Sequence, residues 1–137
     1  MNDEATTHYN SIIDQMSWGL RRLNDTFGKC GQPKVTWQID PFGHSKEQAA
    51  LFALTNYDAV FFAREDWQEQ RSRKANKTLE HVWQGSEDLG SAADLFTGMM
   101  DFGYGPPQGF NWDLVSFQDF SPTKRLCNDG SKWLNRD

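Results

Sequence analysis

The residue best placed by its neighbours to do chemistry is Asp40, at the point where Val35-Thr36-Trp37-Gln38-Ile39 runs into Pro41-Phe42-Gly43-His44-Ser45. The five residues before it have the β-branched and aromatic content of a buried strand. Pro41 cannot continue a ladder and Gly43 permits unusual backbone, so the chain must leave the sheet there. Ser45, followed by Lys46-Glu47-Gln48, reads as a helix N-cap. Ligands and reactions gather at the carboxyl ends of parallel strands in α/β proteins, so Asp40 has an active-site address. A turn or capping aspartate before proline is the other reading of the same residues.

Arg64 follows Phe61-Phe62-Ala63 and so also stands at a strand tip. A guanidinium there can donate two hydrogen bonds to a carboxylate, holding it ionised and oriented; otherwise it is a solvated surface arginine. His8, His44 and His81 invite a metal reading, because zinc favours imidazole. His8 falls on an expected helix and His81 on an expected strand, where structural histidines are commoner. Asp3-Glu4 reads as an N-terminal cap of the first helix, favoured there by the helix dipole.

These residues need elements to hold them. Ala5, His8, Tyr9, Ile12, Ile13, Met16, Leu20 and Leu23 recur at steps of three and four, which predicts a helix over 3–27 stopped by Gly28. A strand follows over 35–39, a helix over about 45–55 and a second apolar strand over Ala59-Val60-Phe61-Phe62. Helix, strand, helix, strand implies a parallel sheet. The polar stretch 68–77 predicts a solvated helix, and Leu79-Glu80-His81-Val82-Trp83 alternates like a third strand. From Gly85 onward Gly and Pro punctuation dominates, with Gly103-Tyr104-Gly105-Pro106-Pro107 as loop.

The composition suits one domain: 137 residues, with ten Phe and six Trp that need partners or a sugar to stack on. A net charge of -5 argues against nucleic acid or an anionic membrane as partner. No apolar run is long enough to span a bilayer, and no signal-peptide pattern opens the chain. Cys30 and Cys127 lie too far apart and too alone to form a disulfide framework. Asn24-Asp25-Thr26 and Asn76-Lys77-Thr78 are glycosylation sequons, meaningful only in the secretory pathway.

The nonapeptide Trp37 to Ser45 resembles the signature of glycoside hydrolase family 38, the retaining zinc-dependent α-mannosidases, in its lysosomal branch. Met1-Asn2-Asp3-Glu4-Ala5, Asp14-Gln15-Met16, Asp25-Thr26-Phe27-Gly28, Glu47-Gln48-Ala49, Leu95-Phe96-Thr97-Gly98, Gly103-Tyr104 and Trp112-Asp113 fall in family order. The resemblance implies an α/β fold, a partial slice of a distorted parallel β/α barrel of about seven strands. It divides the chain into residues 1–120, a partial catalytic domain, and 121–137, an unmatched polar tail. Asp40 becomes by resemblance the catalytic nucleophile and a zinc ligand. Phe42, Arg64 and Tyr104 become substrate-binding residues; core packing for Phe42 and a plain loop aromatic for Tyr104 are the alternatives. His44 belongs to the signature but not to the ligand set, and is expected to hold the loop by hydrogen bonds.

The implied partners are mannose-containing N-glycans and the remaining parts of a catalytic domain, and the implied location is lysosomal or secretory. The family's other zinc ligands and its acid/base carboxylate have no counterpart here, and Asp113 and Asp119 are not matched to that acid. Asn111 and Ser116 stand where the lysosomal branch has a cysteine pair. Retention needs two carboxyl groups and tight zinc binding needs several donors, so the isolated chain is expected to be inactive. A truncated non-catalytic fragment that binds glycan or a sister mannosidase through Trp112 or Tyr104 is the alternative.

Overall fold

The computed structural model describes residues 1–101 and 103–105. Its first element, helix α1 (Tyr9–Phe27), begins six residues later than the periodicity predicts. The reason is local competition for backbone donors. The Asp3 carboxylate accepts from the amides of Ala5 (2.7 Å) and Thr6 (3.0 Å) and closes a separate turn. The His8 ring then caps α1 by accepting from the Asn10 amide. Asp3 and Glu4 therefore do not cap α1. Gly28 ends it as expected, at φ 65°, a conformation that costs glycine little.

Strands β1 (Val35–Gln38) and β2 (Ala59–Phe62) lie where the apolar runs place them, with α2 (Lys46–Leu54) between them. Helix α3 (Trp67–Asn76) buries none of its residues. It is held by the Asp66 carboxylate, which accepts from the Gln68 and Glu69 amides, and by Lys77 in the left-handed region at its end. Strand β3 (Glu80–Gln84) follows, then β4 (Asp94–Met99) within the stretch read above as Gly and Pro punctuation.

The sheet order is β1-β2-β4-β3. β1, β2 and β4 are parallel, but β3 runs antiparallel to β4, so the sheet is mixed and not wholly parallel. Among the described residues it is open, with β1 and β3 at its edges. One face carries Val60 and Leu95 against Ala49, Leu51 and Phe52 of α2 and Ile12 and Met16 of α1. On the other face Val35, Trp37, Val82 and Phe96 are exposed. No described helix is long and apolar enough to cross a membrane.

Candidate active site

Parallel register is what assembles the site. Gln38 pairs with Phe62 and Phe62 with Met99, so β1, β2 and β4 end level with one another. The chain leaves these three ends through Asp40, Arg64 and the turn carrying Tyr104. Residues 64 positions apart in sequence therefore meet above one sheet edge. The sequence places each of the four expected site residues in a loop or at a strand tip, and the structure brings all four together.

Arg64 Nε donates to Asp40 Oδ1 at 2.9 Å, and Arg64 Nη2 lies 2.8 Å from the same oxygen. The Tyr104 hydroxyl also donates to Asp40 Oδ1, and Arg64 Nε reaches the Tyr104 oxygen at 2.8 Å. The Phe42 ring lies beneath the guanidinium, with Arg64 Cζ 4.5 Å from its centroid, a cation-π distance. All three polar contacts fall on Oδ1, and Oδ2 takes none of them. The Asp40 side chain is half exposed. Phe42 is 82 % exposed, so it is not a core residue.

The Tyr104 bond first, and the Arg64 bond second, hold the Asp40 carboxyl below its usual value. Desolvation, followed by the Asp40 bond, raises the Tyr104 hydroxyl and keeps it protonated as a donor. The result is an ionised carboxylate with one oxygen fixed and the other taking no hydrogen bond or ion pair among the described residues.

The loop behind Asp40 is fixed by its own Gly43 and His44 together with a distant N-terminal strap carrying Asn2 and Glu4. Gly43 turns at φ 154°. His44 Nε2 donates to the Arg64 carbonyl at 2.9 Å, and its ring packs on Phe62 at 4.1 Å. His44 Nδ1 lies 3.0 Å from Glu4 Oε1. The same carboxylate accepts from Gln38 Nε2 (2.9 Å) and from the Ser45 amide (2.6 Å). Ser45 is the α2 N-cap position, but its own side chain makes no capping bond. Asn2 reinforces the strap, exchanging backbone bonds with the buried Gln38 amide and donating to Gln48. His44 thus holds the loop by hydrogen bonds, as expected. His8 caps α1, and His81 takes a contact from Arg73 Nη1.

Among the described residues no group of three His, Cys, Asp or Glu could hold a metal ion. Both His44 nitrogens are committed, which leaves the Asp40 carboxylate as a single donor. These residues alone do not fit a zinc site. Trp112, Asp113, Asp119, Asn111, Ser116, Cys127 and the segment 121–137 lie outside the described residues.

The N-terminal domain of glycosyl hydrolases family 38 matches residues 1–132. This chain belongs to that family. It is 57 % identical over 116 residues to a lysosomal alpha-mannosidase of Felis catus and 53 % identical over 116 residues to that of Homo sapiens, in each case 84 % of this chain and 12 % of the relative. An alpha-mannosidase of Canavalia ensiformis is 48 % identical over 115 residues, 83 % of this chain and 12 % of its own. The chain thus spans about an eighth of the length of the curated relatives it matches.

Proposed function

We propose that this chain carries the nucleophile half of a retaining α-mannosidase active site, acting on terminal α-mannose of N-glycan oligosaccharides. The observation that carries the reading is the Asp40 carboxylate, ionised and pinned at Oδ1 by Arg64 and Tyr104 at the carboxyl ends of parallel strands. The relatives' names supply the sugar.

In this reading Asp40 Oδ2 attacks the anomeric carbon, the C–O bond to the leaving group breaks, and a glycosyl ester forms on Asp40. Water later cleaves the ester, giving overall retention. Arg64 and Tyr104 keep the attacking carboxylate charged and aimed, and the exposed Phe42 ring offers the sugar an apolar face. The proton donor to the leaving group must stand about 5 Å across the bond in a retaining enzyme. It belongs outside the described residues, as do the further donors of a zinc site to which Asp40 would contribute. The surrounding architecture in this reading is the β/α barrel to which the open β1–β4 sheet is a contribution. A lysosomal or secretory location accompanies it, and Asn24 and Asn76 are exposed sequons that glycopeptide mapping can check.

The test is replacement of Asp40. In the active enzyme carrying this segment, Asp40→Asn should cut release of an aryl leaving group from an α-mannoside by about a thousandfold or more. Turnover at the parent rate would end the proposal.

A further inference from the structure

Glu4 and His44 are the most deeply buried ionisable pair in the described molecule, at 4 % and 6 % side-chain exposure. Nothing in the chemistry above uses them. Their placement is nevertheless specific. His44 has an acceptor on each ring nitrogen: a carboxylate oxygen of Glu4 at Nδ1 and the Arg64 carbonyl at Nε2. A carbonyl cannot donate, and neither can an ionised carboxylate. With Glu4 ionised, both contacts are hydrogen bonds only if the ring carries two protons, so the arrangement suits an imidazolium locked between a backbone carbonyl and an anion. Glu4 spends its remaining lone pairs on Gln38, at the end of β1, and on the Ser45 amide, at the start of α2.

The carbonyl gripped by His44 is that of Arg64, whose guanidinium pins Asp40. Fixing the peptide of a residue at a strand tip fixes the direction in which its side chain leaves. We propose that Glu4 and His44 are a positioning pair: they clamp the Arg64 backbone and the Asp40 loop as one unit, and so set the aim of the Asp40 carboxylate. The clamp rests on the reading of Asp40 as the reacting group. Its members come from an N-terminal strap, the β1–α2 loop and the tip of β2, so three chain segments are registered by one carboxylate and one ring.

The pair is distinguishable from ordinary core polarity by what its variants do. His44→Gln puts a flexible amide where a rigid ring bridged two acceptors. In the active enzyme carrying this segment, kcat should fall by about tenfold to a hundredfold, as for misplacement of a catalytic group by a fraction of a residue's reach. KM should move by less than about twofold, because ground-state contacts to sugar are untouched. Glu4→Gln removes the anion but lets a neutral His44 keep its Nε2 bond to Arg64. It should therefore lower kcat as well, though less than His44→Gln does, while the His44 pKa falls, read by histidine ring NMR, with Arg64, Glu65 and Gln38 the other polar groups facing the ring or its partner.

A second readout needs no activity. In this chain the Arg64 Nε–H signal should be protected from exchange and should lose that protection in His44→Gln while the amide spectrum stays dispersed. Unchanged kcat in His44→Gln, or an unchanged Arg64 Nε–H, overturns the clamp. Should Asp40→Asn prove active, the nucleophile reading fails on its own, and the Arg64 signal still decides whether the clamp exists.

Discussion

Asp40 owes its character to two neighbours that reach it only through the fold. Lysine at position 64 would keep a charge but lose the planar fork that meets Oδ1 and the Tyr104 oxygen together. Arg64→Lys should lower kcat/KM by about a hundredfold if the carboxylate swings by roughly an ångström, measured with an aryl α-mannoside. His44 carries the pH dependence. Burial alone lowers its pKa, but the Glu4 bond, the Arg64 carbonyl and the Glu4 and Glu65 charges outweigh burial and raise it above the usual 6.5. A raised folded value stabilises the fold fully below the unfolded value and loses that contribution as pH rises through the folded one. The stability gap between the parent chain and His44→Gln, taken from urea midpoints, should accordingly be widest below pH 6.5 and should narrow as the pH rises above it. A gap that widens with pH would show that the ring is neutral.

At the scale of elements, glycine decides how closely the layers approach. A Cβ on Gly85 would lie 2.5 Å from the Ala93 carbonyl oxygen and 2.9 Å from the Ala50 amide nitrogen, both backbone atoms that cannot swing aside. Gly85→Ala should destabilise the fold by about 1–3 kcal/mol in chemical denaturation, the usual range for overpacking. Gly98 has a different role, since it leaves room for the Phe61 ring from the neighbouring strand. That glycine also explains what the sequence conceals. Asp94-Leu95-Phe96-Thr97-Gly98-Met99 sits between Gly and Pro signals and contains a strand breaker, yet it forms β4, between β2 and β3. Only the cross-strand partners make Gly98 an asset. β1, β2 and α2 are legible because their apolar runs are bounded by Pro41, Gly43 and Asn56, and the four site residues are legible because they stand at strand tips or in a marked loop. The partnership of Glu4 with His44 and Ser45 is not legible, because some forty residues separate them and only the packing of the strap against α2 brings them together.

Across the whole molecule, the described sheet is covered on one face and bare on the other, where Trp37 and Val82 are 50 % and 61 % exposed. Parallel strands are stable when both faces are shielded, so this chain on its own should bind a hydrophobic dye in proportion to that open face. The donor set is equally partial. No group of three His, Cys, Asp or Glu among the described residues could hold a metal ion, and the chain should therefore release zinc to a mild chelator in equilibrium dialysis. Retention of one zinc per chain would show that further ligands lie within it. The most direct measurement of the central claim is covalent trapping. The active enzyme carrying this segment is treated with an activated fluorinated mannoside, whose glycosyl ester turns over slowly, and then digested and analysed by mass spectrometry. The expected adduct is one mannosyl unit on the peptide containing Asp40, absent after Asp40→Asn. An adduct on any other carboxylate, formed equally in Asp40→Asn, would contradict Asp40 as the nucleophile.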